Sequence, residues 1–164
     1  MFGQTRKKFL VLDASANDHA SMAELHASAF SRAWSKSEVA GLWAQENVIM
    51  LIARTVGEPD GPVLGFNIVR KSGDEAEILS IATDEKARGR GIGETLIREA
   101  ILRLRADRVG ALVLEVDGAN QPAIRLYERL GFHTVANRPG YYRKEDKDGL
   151  VAHSAALVMR LDLV

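Results

Sequence analysis

The 164-residue sequence predicts an α/β fold with a mixed central β-sheet flanked by helices. Apolar runs of strand length alternate with amphipathic segments of helical period, in the order β-α-α-β-β-β-α-β-α-β-β. One run, residues 111–116, is almost continuously apolar, which is typical of a strand covered on both faces. No repeat, linker or shift in composition divides the chain, so we expect one domain spanning residues 1–164.

The first half of the chain is predicted to contain one strand, two helices and three further strands. A strand at residues 9–12 is followed by a helix that begins at a capping residue, Asn17 or Asp18, and runs to about residue 30. Ser35 and Glu38 have the spacing of a capping box, which predicts a short second helix. The next strands are separated by turns rich in glycine and proline and lie at residues 48–56, 63–70 and 76–83.

The second half of the chain is predicted to contain two helices and three strands. After a glycine-rich loop, a helix runs to about residue 106 and precedes the apolar strand at residues 111–116. Asn120, two residues before Pro122, predicts the start of a helix that ends at Gly131. The last strands are expected at residues 132–136 and 155–163, with a solvated hairpin tip at residues 143–149.

Composition excludes several classes of function. Lysine plus arginine and aspartate plus glutamate both number 22, so no net charge attracts nucleic acid or an anionic membrane. The chain has no cysteine, which excludes disulfides and thiolate chemistry. The four histidines lack ligand spacing, so we expect no metal. The N-terminal apolar run is too short for the core of a signal peptide, and we expect a cytoplasmic protein.

The glycine-rich loop is the most informative motif. It places Gly89, Gly91 and Gly93 between an apolar strand and the start of a helix, with Arg88 and Arg90 beside them. Unpaired N–H groups at a helix start, approached without a Cβ, favour binding of a phosphate. The spacing is not that of a dinucleotide fingerprint, and the residues after the last glycine are not those of a P-loop. The alternative is a glycine-rich turn that joins the strand to the helix and binds no ligand.

The pattern Arg88-x-x-Gly91-x-Gly93 resembles the acetyl-CoA pyrophosphate loop of the GNAT acetyltransferase superfamily. Further segments resemble one branch of it, the ribosomal-protein-alanine N-acetyltransferases. These segments are Phe30-x-x-Ala-Trp34-Ser, Ser80-Ile-Ala-Thr83, Leu114-Glu-Val116, Asn120-x-x-Ala123-Ile-x-Leu-Tyr127-Glu-x-Leu-Gly-Phe132 and Arg138-x-x-Tyr141-Tyr142. The resemblance is strongest over residues 75–142, and it implies a GNAT fold and an N-acetyltransferase.

The resemblance implies a binding site for acetyl-CoA as co-substrate. The glycine loop would bind the pyrophosphate, the backbone of the preceding strand would bind the pantetheine arm, and a backbone N–H near Ala82 would polarise the thioester carbonyl. An asparagine at the start of the last helix would also bind the arm. The implied cofactor-binding residues are Ile81, Ala82, Thr83, Arg88, Gly89, Arg90, Gly91, Ile92, Gly93, Glu94, Thr95 and Asn120.

Two residues are implied to be catalytic. Glu115 matches the general base, and its place in an apolar strand leads us to expect desolvation and a raised pKa. The alternative for Glu115 is an exposed position on the sheet, and Glu77 on the preceding strand competes for the role of base. Tyr127 matches the general acid that returns a proton to the CoA sulfur; without the match it would be assigned to the core.

The acceptor is expected to be a primary amine, foremost the α-amine of a protein or peptide N-terminus. Such an amine needs only ~1 kcal/mol for deprotonation at pH 7, whereas lysine needs roughly 4.6 kcal/mol. Trp34, Glu77, Tyr141 and Tyr142 are the candidate acceptor-side residues, with a buried packing role as the equal alternative for Trp34. The branch usually carries Glu-Asp where this chain has Ser154-Ala155, which weakens the assignment of the acceptor. Alternatives are a small-molecule amine, a lysine side chain, or a non-catalytic acyl-CoA-binding regulatory module, and the protein is expected to be a monomer or homodimer.

Overall fold

In the computed structural model, which describes residues 8–164, seven strands form one mixed sheet. They are β1 (Phe9–Asp13), β2 (Val48–Thr55), β3 (Gly65–Ser72), β4 (Glu75–Thr83), β5 (Ala111–Asp117), β6 (His133–Glu145) and β7 (Val151–Asp162). Their order across the sheet is β1-β2-β3-β4-β5-β7-β6, and every neighbouring pair is antiparallel except β4 and β5. The predicted element order and the mixed sheet are confirmed. The basic segment at residues 1–7 lies outside the described residues.

Four α-helices flank the sheet within the described part of the chain. They are α1 (His19–Ala29), α2 (Lys36–Trp43), α3 (Ile92–Ala106) and α4 (Gln121–Arg129). The predicted capping box forms at α2, where the Ser35 hydroxyl accepts from the Glu38 N–H and the Glu38 carboxylate accepts from the Ser35 N–H. Asp18 precedes α1, but its carboxylate accepts hydrogen bonds from Ser15 and Arg54 instead of capping the helix. None of these helices combines the length and the apolar character needed to cross a membrane.

The helices bury two clusters of apolar side chains, one on each face of the sheet. On one face α1 and α2 cover the first half of the sheet, with Met22, Val39, Phe66 and Ile68 fully buried. On the other face α3 and α4 pack against the whole middle of the sheet. Their cluster includes Leu96, Ile97, Leu104, Leu112, Leu114 and Met159. The half of the sheet formed by β5, β7 and β6 therefore has helices on one face only.

The expectation that residues 111–116 form a strand covered on both faces is wrong in part. Leu112, Leu114 and Val116 point into the α3/α4 cluster, whereas Glu115 is exposed on the opposite face. The side chains of a strand alternate between its two faces, and α1 and α2 end before they reach β5. Although residues 111–116 are almost all apolar, one face of this strand is not covered by a helix.

The two central strands pair over a short distance and then separate. The parallel contact between β4 and β5 joins Glu75, Ala76 and Glu77 to residues 111–113. Beyond this contact β4 pairs with β3 alone and β5 with β7 alone. A β-bulge at Leu79, the extra residue where the β3–β4 register shifts, bends β4 at this point. The sheet thus has an opening between residues 78–83 and residues 114–117.

The last two strands are much longer than predicted. Strand β6 continues to Glu145 and β7 begins at Val151, so the predicted polar tip at residues 143–149 shrinks to a short turn. Residues 138–145 are almost entirely exposed, and their side chains show no alternation of apolar and polar residues. This part of the hairpin is defined by cross-strand pairing and not by burial, so hydrophobic periodicity could not predict it.

Candidate functional site

The opening between β4 and β5 leads into a cavity of about 680 Å³. Its walls come from the end of β4, the glycine loop, the start of α3 and one face of α4. All of the predicted cofactor-binding residues except Arg90 and Thr95 line the cavity, and Tyr127 lines it as well. The structure therefore brings together two separate motifs of the resemblance, the glycine loop and the last helix.

The glycine loop presents the start of α3 to the cavity. Gly89 and Gly91 have φ angles of +76° and +80°, a conformation that L side chains rarely adopt. Gly91 is the N-cap residue of α3, and within residues 8–164 no side chain caps this helix. By contrast, the side chains of Ser35 and Asn120 cap α2 and α4. The first-turn N–H groups of α3 have no intrahelical acceptor, and with the helix dipole they form a site for an anion.

Two arginines add positive charge to the cavity. Arg88 precedes the loop and Arg129 lies in the last turn of α4; both line the cavity. Neither side chain forms an ion pair with any residue in the described part of the chain. Arg90 instead lies over the ring of Phe9, with its Cζ atom 5.8 Å from the ring centroid. Arg90 was predicted to bind the cofactor but does not line the cavity. Arg129, which was not predicted, does line it.

Thr95 and Asn120 have local roles at the two helix starts. The Thr95 hydroxyl donates to the carbonyl of Gly91 over 2.8 Å, so this side chain faces its own helix and not the cavity. The carboxamide oxygen of Asn120 accepts from the N–H of Ala123, as predicted for a cap. Asn120 also lines the cavity. Its carboxamide oxygen accepts the capping hydrogen bond, and its NH2 group can donate hydrogen bonds to a ligand.

Tyr127 belongs to the core and to the cavity at once. The residue is 6% exposed and packs in the α3/α4 cluster, with its ring 5.8 Å from that of Phe132. Burial raises the pKa of the Tyr127 hydroxyl to about 12. The hydroxyl is therefore protonated at neutral pH and can act as a donor towards the cavity.

Glu115 lies on the opposite face of the sheet from Tyr127. Its carboxylate accepts a hydrogen bond from the Tyr142 hydroxyl over 3.1 Å and lies 3.8 Å from a guanidinium nitrogen of Arg138. The side chain is 31% exposed, so the expected desolvation of Glu115 is wrong. The open face of β5 leaves the carboxylate accessible to solvent and to a ligand that approaches from that side.

Of the remaining candidate acceptor residues, Glu77 and Tyr141 are exposed near Glu115 or Tyr142, whereas Trp34 packs elsewhere. Glu77 is exposed and pairs with Val113 at the last position before the two central strands separate. Tyr141 is exposed beside Tyr142, with ring centroids 5.2 Å apart. Trp34 is not brought to the cavity: its ring stacks on buried His26 at 4.5 Å, and its backbone N–H donates to His26 Nδ1. A packing role for Trp34 is what the structure shows.

Some cavity-lining residues were not predicted. Pro122, Ala123 and Leu126 share a face of α4 with Tyr127, and their helical spacing was a signal that could have found them. Ala29 and Phe30 at the end of α1 also line the cavity. Their placement depends on how α1 packs across the sheet, for which the sequence carries no local signal.

Comparison with known proteins identifies the family of the chain. The family model described as Acetyltransferase (GNAT) family matches residues 19–132. A protein of Bacillus subtilis (strain 168), provisionally named as a [ribosomal protein bS18]-alanine N-acetyltransferase, is 30% identical over 128 residues. That match covers 78% of this chain and 83% of the relative.

Solved structures of N-acetyltransferases have the same fold as this chain. The ribosomal-protein-S18-alanine N-acetyltransferase from Escherichia coli superposes with a TM-score of 0.81 at 27% identity, covering 95% of this chain and 94% of its own. Arabidopsis thaliana NAA60, solved in complex with acetyl-CoA, superposes with a TM-score of 0.77 at 20% identity, covering 94% and 98%, which shows likeness of fold. The predicted fold, family and enzyme class are confirmed. The chain belongs to the acetyltransferase (GNAT) family and is an acyltransferase.

Proposed function

We propose that this protein transfers the acetyl group of acetyl-CoA to a primary amine, foremost the α-amine at the N-terminus of a protein or peptide. One observation carries the proposal: the central strands separate at a cavity, with Tyr127 on one face of the sheet and Glu115 on the other. A co-substrate held in the cavity and an acceptor on the open face would meet in the opening. The cytoplasm is the proposed place of action because the relatives are named for a ribosomal protein.

The residues of the cavity fit coenzyme A. The start of α3 and Arg88, which have no side-chain cap and no ion-pair partner among residues 8–164, offer N–H donors and positive charge to a diphosphate. The end of β4, residues 81–83, lines the cavity and has no neighbouring strand on the side of β5, so its backbone can bind the pantetheine amides. Asn120 adds a side-chain donor, and a backbone N–H near Ala82 is proposed to polarise the thioester carbonyl.

Proton transfers complete the reaction. The acceptor ammonium first loses one proton to solvent; Glu115 takes a second proton as the neutral nitrogen attacks the thioester carbon, and Tyr142 orients that carboxylate through its hydrogen bond. A C–N bond forms, the C–S bond breaks, and Tyr127 donates a proton to the departing sulfur. The Tyr127 hydroxyl carries a proton at neutral pH, which the role of donor requires. Glu77 is the alternative base, since it lies on the same exposed edge of the opening.

The face that receives the acceptor carries three carboxylates beside the opening, together with Arg138. Glu77, Glu115 and Asp117 all lie on the side of the sheet that α1 and α2 leave open. Carboxylates on an open face favour a cationic acceptor, and an α-ammonium loses its proton at far lower free-energy cost than lysine does. The relatives are named for alanine at a protein N-terminus, which supports the same acceptor class.

The test is an acceptor screen that follows the release of free thiol from acetyl-CoA. The acceptors are peptides with alanine or serine as first residue, the same peptides with a blocked N-terminus and an internal lysine, and polyamines. We expect the free α-amine beginning with a small residue to be the best acceptor. A clear preference for polyamines or for lysine contradicts the acceptor assignment. Binding of coenzyme A in calorimetry without turnover on any amine indicates a regulatory module instead.

A further inference from the structure

Both oxygens of the Glu115 carboxylate face groups from a single strand, β6. The Tyr142 hydroxyl donates to Oε1 over 3.1 Å, and the guanidinium of Arg138 lies 3.8 Å from Oε2. Before any acceptor arrives, the proposed base is therefore already in contact with a cation of its own chain. An ammonium that binds Glu115 has to share this carboxylate with Arg138 or displace it.

A deformation of β6 brings both residues to this place. Arg138 is paired with Ala156 and Tyr142 with Ser154, so three residues of β6, 139–141, lie opposite the single residue Ala155. Gly140 has a φ angle of +67° within this bulge. Residues four positions apart share a face on any strand, but the bulge sets Arg138 and Tyr142 opposite residues of β7 that are only two positions apart, which brings both side chains within reach of Glu115. Bulges of this kind re-aim side chains next to functional sites.

The two contacts differ in strength. The Tyr142 contact is a hydrogen bond, whereas the 3.8 Å separation at Arg138 exceeds hydrogen-bonding distance and leaves a loose ion pair. The Arg138 side chain is 59% exposed. Its Cζ atom also lies 5.7 Å from the centroid of the Tyr141 ring, which offers the guanidinium a second favourable contact when it leaves the carboxylate. Arg138 is therefore the contact that can yield.

We propose that Arg138 is an internal stand-in for the acceptor ammonium: in the acceptor-free enzyme its guanidinium holds the place on Glu115 that the amine takes. The inference rests on the proposed function of Glu115. Binding of a cationic acceptor then exchanges one ion pair for another, and a neutral ligand gains nothing at this carboxylate. Arg138 thereby sets the affinity for the amine and lowers it relative to an enzyme with a vacant carboxylate.

The test measures peptide binding by calorimetry in the presence of coenzyme A, which lacks the acetyl group and so prevents turnover. The probes are an alanine-initiated peptide and the same peptide with an acetylated N-terminus. Because exposed ion pairs contribute little, we expect Arg138→Gln to lower the Kd of the free-amine peptide by about two- to fivefold. The Kd of the acetylated peptide should change by less than about twofold, because it has no cation to place.

Two variants and one measurement make the test decisive. Arg138→Lys keeps a cation at the site and should bind the free-amine peptide as the wild type does. Arg143→Gln removes an arginine of the same strand that pairs with Glu145, and it should leave both Kd values unchanged. A Kd for the free-amine peptide that is unchanged or raised in Arg138→Gln overturns the inference, since it means that Arg138 is neutral or recognises the acceptor directly. Turnover by the wild type shows separately whether the proposed function holds.

Discussion

Glu115 and Glu77 are two exposed carboxylates that compete for one role. Both lie on the open face, but among the contacts of residues 8–164 only Glu115 is held in position, by the hydroxyl of Tyr142. Because a fixed base transfers protons more effectively than a mobile one, we expect Glu115→Gln to lower kcat by at least about 10²-fold. Glu77→Gln, its matched control, should lower kcat by less than about threefold. The reverse order in thiol-release assays would assign the base to Glu77.

In Tyr127 the ring contributes to packing and the hydroxyl to the proposed chemistry, so a single substitution can test the two roles separately. Its ring packs in the α3/α4 cluster, while its hydroxyl forms no hydrogen bond with residues 8–164. Tyr127→Phe keeps the ring and removes only the proton donor, so we expect kcat to fall by about 10²-fold or more. The thermal midpoint should stay the same or rise, because no hydrogen bond is lost. Normal turnover in this variant would remove Tyr127 from the mechanism.

At the residue scale, the sequence predicted positions better than environments. The resemblance identified Glu115 and Tyr127, yet it could not show that Glu115 is exposed, because burial depends on where α1 and α2 end. For Trp34 the sequence left a place at the acceptor side and a packing role open, and the residue packs on His26. Arg129 was missed because its cavity contact follows from the orientation of α4. Each of these facts is set by packing between elements that are distant in sequence.

At the element scale, the start of α3 allows a test with two glycines of the same loop. Gly91 has a φ angle of +80° and an open space around it, so Gly91→Ala should cost about 1–2 kcal/mol of backbone strain without a clash. A Cβ at Gly93 would meet Leu126 and Thr83 at 3.7 Å, which is ordinary contact, and φ there is not positive. Gly93→Ala should therefore leave stability unchanged or raise it by up to about 1 kcal/mol.

Urea unfolding monitored by circular dichroism measures both effects. Only Gly91→Ala is expected to lower the free energy of unfolding, so a general sensitivity of the loop to alanine cannot produce this result. Equal destabilisation by the two substitutions would mean that the left-handed conformation of Gly91 is not what the loop depends on.

Elements with caps and hydrophobic periodicity were predicted closely, and the hairpin was not. The capping box at Ser35 and the Asn120–Pro122 pair placed the starts of α2 and α4 to within about a residue. Strands β6 and β7 extend well beyond their predicted bounds because their outer parts pair with each other while both faces meet solvent. The parallel contact of β4 with β5, and the point where it ends, has no signature in either strand alone.

At the scale of the whole molecule, buried titratable groups predict how stability depends on pH. Burial lowers the pKa values of His19 and His26, against opposing effects of nearby Asp18 and Glu38. Their folded-state pKa values lie below the unfolded value of 6.5, so their stabilisation is complete above pH 6.5. It is lost as the pH falls from there towards the folded-state values, by at most about 1.4 kcal/mol per pH unit for each histidine.

The free energy of unfolding from urea titrations at pH 7.5, 6.5 and 5.5 tests this prediction. His26→Asn, in which an amide oxygen can accept from the Trp34 N–H, should show a smaller loss on acidification than the wild type. His153→Gln, which changes an exposed histidine on β7, serves as the control and should retain the full loss. A stability that is flat between pH 7.5 and 5.5 would contradict the assignment.

The separation of the two central strands has a mechanical consequence. Strands β4 and β5 pair at three positions only, Glu75, Ala76 and Glu77; beside them the Arg160 guanidinium pairs with Glu75, and the helices pack across both halves of the sheet. A pantetheine chain lying along residues 81–83 would act as a wedge that stiffens both halves at once. Coenzyme A should therefore slow amide hydrogen exchange at residues 78–83 and, across the gap, at residues 114–117. Slowing confined to the glycine loop would mean that the two halves respond to the ligand independently.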